Sequence, residues 1–568
     1  MKIDIIKSIC LLILIITISI FSAVGQENII DKRTSYKETI DDPYMPMLEK
    51  DIVTTPAYRT RGSNYTTVQV NIDEDGNNIL LDAANEPSIA IDWNNPERIV
   101  IGWRQFDNVM SNFRQAGYSY SNDFGETWTS PDPIDMGVFR SDPVLDIDNN
   151  GTFYYNSLTV NDQNDYWCDV YRTIPEEFVW DEGVFAQGGD KQWMHIDKTG
   201  GIGDGNIYAF WNSSFSICPP GSYTRSTDGG ESYEQCDGVP GNPYWGTLTT
   251  GPDGELYMVG AASSTGLVVT KSSTALDPGL QTSWDFAIYV DLDGELHGWI
   301  PINPSGLLGQ SYIDVDRSEG PGRGNVYVLA SVTRNGGDPA DVMFNRSTDG
   351  GATWEEPTRI NDDPYGNKYQ WFGTMSVAPN GRIDVVWLDT RNSPGTNMFI
   401  SELYYSYSID QGVTWSINER ISEEFNPKIG YPNQNKMGDY FHMVSDNESA
   451  HLAWANTLNG EQDVYYTRII PWFVGTEELA NNKELSLTAY PVPVKNKATF
   501  RFDLVENSEV TMEIFNLLGN STTIIDNEFR PAGTHNFVYN ADELSPGIYF
   551  CRISTADDTK TIKFTVAN

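Results

Sequence analysis

A chain of 568 residues is long enough for more than one domain. With 12 % aromatic residues, 49 glycines and 30 prolines, it favours many short strands joined by tight turns over long helices. The net charge of −42 repels nucleic acid and anionic membranes, and this excludes both as partners.

In chain order, Lys2 and Lys7 precede the apolar run 9–21, and Ala23-Val24-Gly25 offers small residues for cleavage. Residues 1–25 are therefore expected to be a secretory signal peptide, too short in its apolar run to anchor the chain. Without them 35 basic residues face 78 acidic ones, and no second long apolar stretch predicts membrane insertion. Residues 26–64 are polar, hold scattered prolines and read as a surface leader. The alternation in 65–72 (YTTVQVNI) then predicts a strand.

From Glu86 a unit repeats: a strand, a Gly/Asn/Asp turn, a second apolar strand and a hairpin. Seven units can be aligned, opening at Glu86, Asp142, Lys191, Tyr244, Gln310, Gln370 and Gly438. Their second strands fall at 98–103, 152–156, 206–211, 255–260, 325–330, 382–387 and 450–454. Four hairpins share the pattern S-x-D-x-G-x-[TS]-[WY], at Ser121–Trp128, Ser226–Tyr233, Ser347–Trp354 and Ser408–Trp415. Its Ser and Asp accept from turn N–H groups, its Gly tolerates positive φ, and its aromatic re-enters a strand.

These hairpins resemble the Asp-box (BNR) repeats of the sialidase-like β-propellers, so the resemblance implies an all-β propeller over 65–472. At about 58 residues per unit seven blades fit better than the six of many sialidases, which stay the alternative. The last unit ends after its third strand, and 65–72 is expected to supply the fourth, closing the ring without exposed edges. Residues 473–484 read as a linker. From Leu485 a row of short strands follows, carrying Leu518-Gly519, Gly547-Ile548-Tyr549-Phe550 and a Lys563-Phe564-Thr565-Val566 ending. Region 485–568 resembles the C-terminal sorting domain of type IX (Por) secretion. The resemblance implies transport across the outer membrane to the cell surface or the medium, with the secretion machinery as partner. The exported form is then expected to begin near Gln26 and to lose the region after about Leu485.

The face opposite the Asp-box turns gathers strand openings and second-strand ends around the axis. There stand Glu86, Asp142, Asp190, Trp193, Gln310, Gln370, Asp439 and Tyr440, with Arg104, Arg334 and Arg391. The sialidase resemblance implies that Arg104, Arg334 and Arg391 clamp a substrate carboxylate. It implies Tyr440 beside Glu86 as nucleophile pair and Asp142 or Asp190 as acid, with Trp193, Gln310, Gln370 and Asp439 contacting substrate. The F/Y-R-I-P motif of that family is absent; Glu86-Pro87-Ser88-Ile89 stands in its place. The expected function is thus to bind or hydrolyse an extracellular glycan or glycoprotein. The alternatives are a non-catalytic binding or adhesion module and, from His195, His442 and His451, a polysaccharide lyase. No Cys/His metal spacing occurs, and no cofactor is expected; the loops 71–76 and 146–151 resemble Ca²⁺ loops, with a structural Ca²⁺ there as the alternative to ordinary Asp/Asn/Gly turns. Cys218 and Cys236 are equally spaced about Thr227 in one hairpin and should form a disulfide, leaving Cys168 and Cys551 free.

Overall fold

The computed structural model describes residues 42–174, 178–262, 266–395 and 398–471. In the C-terminal region it describes 485, 487–490, 494–504, 507–516, 521–531, 533–541, 544–555 and 559–567. The expected signal peptide, the first part of the leader, the linker and Leu518-Gly519 lie outside the described residues. The chain divides into two compact units, Met1–Pro471 and Trp472–Asn568.

Among the described residues the first unit holds two two-stranded sheets and, building its ring, seven antiparallel sheets of three to five strands. Their innermost strands are Ala83–Ile91, Ser141–Ile147, Trp193–Ile196, Leu248–Thr250, Tyr312–Val315, Gln370–Val377 and His442–Ser445, which define blades 1 to 7. Each innermost strand neighbours the next, and that of blade 7 neighbours that of blade 1, so the sheets form a closed ring. Among the described residues neighbouring inner strands share no backbone ladder beyond an isolated bridge between Gly246 and Ser311, and side-chain acceptors join them. Ser88 Oγ accepts from Leu145 N–H (2.8 Å), Asp146 Oδ2 from Ile196 N–H (2.8 Å) and Thr247 Oγ1 from Ile313 N–H (3.0 Å). Asp314 Oδ2 accepts from Val377 N–H (2.8 Å), and His442 Nδ1 from Ile89 N–H (3.3 Å). The core is the apolar filling between sheets. Leu145 and Tyr155 of blade 2 pack on Ala90 and Val100 of blade 1, and a Cβ at Gly102 would meet the Tyr155 ring at 2.4 Å.

The four Asp boxes repeat one hydrogen-bond set. In the first, Ser121 Oγ donates to Asp123 Oδ1 (2.8 Å) and accepts from Gly125 N–H (2.9 Å). Asp123 then accepts from Thr127 N–H (2.8 Å) and Thr127 Oγ1 (2.6 Å). The same bonds recur from Asp228, Asp349 and Asp410. A turn whose donors are met from within keeps its shape wherever it is placed.

The ring closes through the chain start. Tyr65–Gln69 pairs with Asp463–Ile469 of blade 7, Tyr65 opposite Ile469. Arg59–Arg61 adds a further strand and Thr54–Pro56 pairs with Asn77–Ile79, so strand pairing reaches into the stretch read as a leader. Between blades 4 and 5 a hairpin of Gly298–Ile300 and Asn303–Leu307 is inserted. The second unit holds two sheets. They are Thr488–Tyr490, Lys497–Leu504 and Gly533–Asn540 on one side, with Ser521–Arg530, Ser508–Asn516, Gly547–Ser554 and Thr559–Val566 on the other. Phe500, Phe502, Met512, Ile553 and Phe564 are buried in one core with the free thiol of Cys551.

Candidate functional site

The first strands do not enter the axis straight. Pairing slips by one residue between Asn85 and Ser88 and between Ser141 and Val144. Glu86 (φ 51°), Asp142 (φ 47°) and Lys191 (φ 57°) occupy equivalent openings with left-handed backbone. Such bulges re-aim a side chain at a local backbone cost, and here they bring charge together. Lys191 Nζ lies 2.9 Å from Asp439, 3.5 Å from Asp190 and 3.7 Å from Asp142. Lys436 Nζ lies 2.6 Å from Asp439 and 3.0 Å from Glu86, whose Oε1 is 3.1 Å from Arg104.

All seven of these side chains are buried. The inserted hairpin covers them: Leu307 N–H donates to Asp439 Oδ1 (2.8 Å), and Asn303 bonds Gly438 O (2.9 Å) and Met437 N–H (3.0 Å). Burial pushes the Glu86 carboxyl up to about 8 against Arg104 and Lys436, and Asp190 up to about 7 against Lys191. For Asp142 burial is again the largest influence, but Lys191, Arg104 and Lys436 together outweigh it and hold the group well below the usual range. Lys191 and Lys436 do the same for Asp439. Lys191, facing three carboxylates, is raised despite its burial.

One or two residues further along the strands the axis turns aromatic. Trp193 meets Tyr440 (5.3 Å), Tyr312 (6.0 Å) and His442 (5.2 Å) edge to face. Tyr440 donates its hydroxyl to Pro143 O (2.7 Å), and burial, then Glu86 and Asp142, raise its pKa far above the phenol range. The buried end and the Asp-box end are thus different environments. At the latter a cavity of about 130 Å³ is lined by His195, His442, Asp146, Lys198, Trp193 and Trp93 among others. Burial lowers both histidines, His442 to about 4.

The expected arginine clamp does not assemble. Arg391 bonds Asp389 (2.8 Å) and Asp362 (2.6 Å) and lies over the Tyr404 ring. Arg334 bonds Asp341 (2.6 Å) and Asp293 (2.5 Å). Arg334 is the last residue of its strand and Arg391 stands two residues past the end of its own, where nearby acids claim the guanidinium first. Arg104 alone reaches the axis, where Glu86 and Asn85 (2.8 Å) hold it. Tyr440 and Glu86 cannot act as an exposed nucleophile pair, because the phenol is spent on a backbone carbonyl and both side chains are buried. Asp142, Asp190 and Asp439 converge, but on lysines. Gln370 Nε2 donates to Asp389 (3.1 Å), and Gln310 is buried at its strand opening. Lys191 was read only as a strand opening and Lys436 went unread in the sequence, although a lysine amid Asp142, Asp190 and Asp439 openings was the available signal.

Cys218 and Cys236 are joined, with Cα atoms 6.4 Å apart, in the loops flanking Tyr223–Ser226; Cys168 is a buried thiol. Asp73 and Asp148 accept backbone N–H groups of their own loops (2.7–3.0 Å), from Asp75 and Asn77 and from Asn150 and Thr152. Among the described residues no three His, Cys, Asp or Glu side chains stand together as a metal site.

A closed ring of antiparallel sheets carrying four Asp boxes defines an all-β propeller of the Asp-box kind. Residues 488–567 match the family model of the secretion system C-terminal sorting domain. That domain marks the chain for export through a type IX system to the cell surface or the medium, and it implies contact with that machinery. No curated protein matches the sequence. Solved structures similar to the chain include a protein of unknown function from Dyadobacter fermentans (16 % identity, TM-score 0.40, covering 72 % of this chain and 99 % of that one). They also include the Hadza microbial sialidase Hz136 (12 %, 0.35, 68 % and 66 %) and the sialidase of Trypanosoma rangeli (11 %, 0.36, 90 % and 89 %). Likeness this distant carries no argument about activity, and the fold rests on the strand pairing itself.

Proposed function

We propose that the propeller is a secreted or cell-surface binding module for extracellular glycan, without hydrolytic chemistry at its axis. The observation that carries this reading is the sealed charge cluster. Each carboxylate a glycosidase would use for proton transfer is buried under a hairpin and matched to Lys191, Lys436 or Arg104. A general acid or nucleophile has to reach its substrate within hydrogen-bond distance, and these groups face one another instead. The test pairs a glycan array with a fluorogenic sialoside assay on the exported protein. Glycan capture without turnover supports the reading; sialoside turnover that survives purification overturns it.

A further inference from the structure

On the Asp-box face three cavities run edge to edge across the seam between blades 7 and 1. The axial one, about 130 Å³, extends from Trp193 and His442 to Trp93. The second, about 410 Å³, shares Ile91 and Trp93 with it and is bounded by His451, Asp446 and Phe124. The third, about 260 Å³, shares Phe124 and Arg468 with the second and ends at Tyr65 and Tyr466. Together they form a continuous groove in the size range of ligand sites.

Two rings stand over it at positions the other blades fill differently. Trp93, 40 % exposed, occupies the first-to-second-strand turn where Asn149, Lys198, Pro252, Arg317, Pro379 and Asn447 stand elsewhere. Phe124, 48 % exposed, sits in the blade 1 Asp box at φ 61°, where the other boxes hold Gly229, Gly350 and Gln411. A bulky residue in left-handed backbone carries strain that glycine avoids. Blade 1 therefore keeps a phenyl ring on its surface against both strain and exposure.

The rings are backed by a rigid stack. Trp93 meets His451 edge-on (6.1 Å), His451 stacks on Tyr466 (6.0 Å), and Tyr466 meets Trp128 (5.5 Å). The His451 nitrogens are engaged by Tyr466 Oη (2.7 Å) and Asp446 (3.1 Å). Charges along the groove are matched: Lys198 with Asp146 (2.7 Å), Arg61 with Glu126 (3.2 Å), and Arg468 with Ser449 Oγ (2.9 Å) and Glu448 (4.0 Å). The groove therefore presents no field of one sign for an ionic ligand.

We propose that this groove binds a neutral oligosaccharide chain, with successive sugar rings laid on Trp93 and Phe124 and the axial pocket taking one end. Flat, rigid aromatic faces suit the apolar faces of sugar rings, and the paired polar rim suits their hydroxyls. The inference rests on the glycan-binding reading above and names its surface and ligand class.

The test is calorimetric titration of the full-length protein. The probes are neutral hexasaccharides (malto-, cello-, xylo-, manno- and laminarihexaose), with hexagalacturonate as the anionic control. At least one neutral hexaose should bind. Trp93→Ala should weaken it about tenfold or more and Phe124→Gly about fivefold. Trp299→Ala, an exposed tryptophan on the inserted hairpin, should leave affinity within about twofold. Phe124→Gly relieves the turn and keeps the Asp box, so its loss of affinity is not a folding defect. Neutral binding that survives both groove variants overturns the groove and leaves the glycan-binding reading standing. Binding of hexagalacturonate alone overturns the ligand class. An absence of binding across these probes and the array removes both.

Discussion

Lys191→Met tests what the axial cluster does. Methionine keeps the length of the apolar stem and removes only the ammonium, which faces Asp439, Asp190 and Asp142 at 2.9, 3.5 and 3.7 Å. Lys191 is 1 % exposed, so water cannot replace the lost charge. Removing one partner of a buried ion pair costs about 3–5 kcal/mol, because the others are left buried and uncompensated. For a unit this large that corresponds to a fall in melting temperature of roughly 3–6 °C. The pH dependence identifies the cause. In the wild type Asp142 and Asp439 are depressed below their unfolded value, so they add stability above about pH 4 that is lost as pH falls through their folded range. Lys191 is raised, so its contribution is full below its unfolded value near 10.5 and is lost only as pH rises through its folded one. In the variant the orphaned carboxylates are raised instead, so its deficit, already present at about pH 4 where the wild type holds the full carboxylate contribution, should grow further up to pH 7. Urea denaturation of both proteins from pH 4 to 8 measures this. A deficit below about 1 kcal/mol at pH 7, or one that does not change with pH, would refute Lys191 as the counter-ion of the cluster.

Arg391→Ala should lower stability by about 1–3 kcal/mol through loss of its Asp389 and Asp362 bonds and leave glycan affinity unchanged, checked by melting and by titration with any hexaose that binds. Thiol labelling of protein without residues 1–25 should find no reactive cysteine when folded and two, Cys168 and Cys551, when unfolded without reductant. Replacing Cys218 and Cys236 together by alanine should cost about 3 kcal/mol, the loop-closure value for a bridge spanning 18 residues. EDTA should leave the melting temperature unchanged within about 1 °C, because Asp73 and Asp148 already accept from their own loops.

The Asp boxes were legible because their chemistry is local: four residues meet one another's donors, and the motif states this outright. Ring closure was legible for a related reason, since a blade short of one strand leaves an edge that 65–72 can cover. The axis was legible only in part. Openings such as Glu86 and Asp142 could be aligned, but the left-handed residue in each shifts the register by one. Strict alternation cannot tell which way such a side chain turns. Arg391 was misplaced because a residue beyond the last ladder pair has no facing fixed by the pleat, and Arg334, the last residue of its strand, is drawn to Asp341 and Asp293; in both places nearby acids decide. The covering hairpin 298–307 carries Gly, Pro and Asn at turn-like spacing and reads as loop, since its partners lie across the ring at Met437–Asp439. In the second unit Ser521–Arg530 is hard to read as a strand because it opens Ser521-Thr522-Thr523 and carries the turn-like pair Asp526-Asn527 at its middle.

Thr67 and Thr467 share a hydrogen bond of 2.9 Å across 400 residues of sequence. A ring joined in this way has no terminal blade from which to fray, and a solenoid of the same sheets would have two. A protease that cuts one loop between blades therefore releases nothing, for each fragment still contributes a strand to the closing sheet and an inner strand to a neighbour. Two cuts are needed before a piece departs, and even that piece leaves two inter-sheet interfaces behind. For a chain sent outside the cell, where peptidases are plentiful and repair is absent, the joint at Tyr65–Gln69 turns a single nick into a tolerable scar.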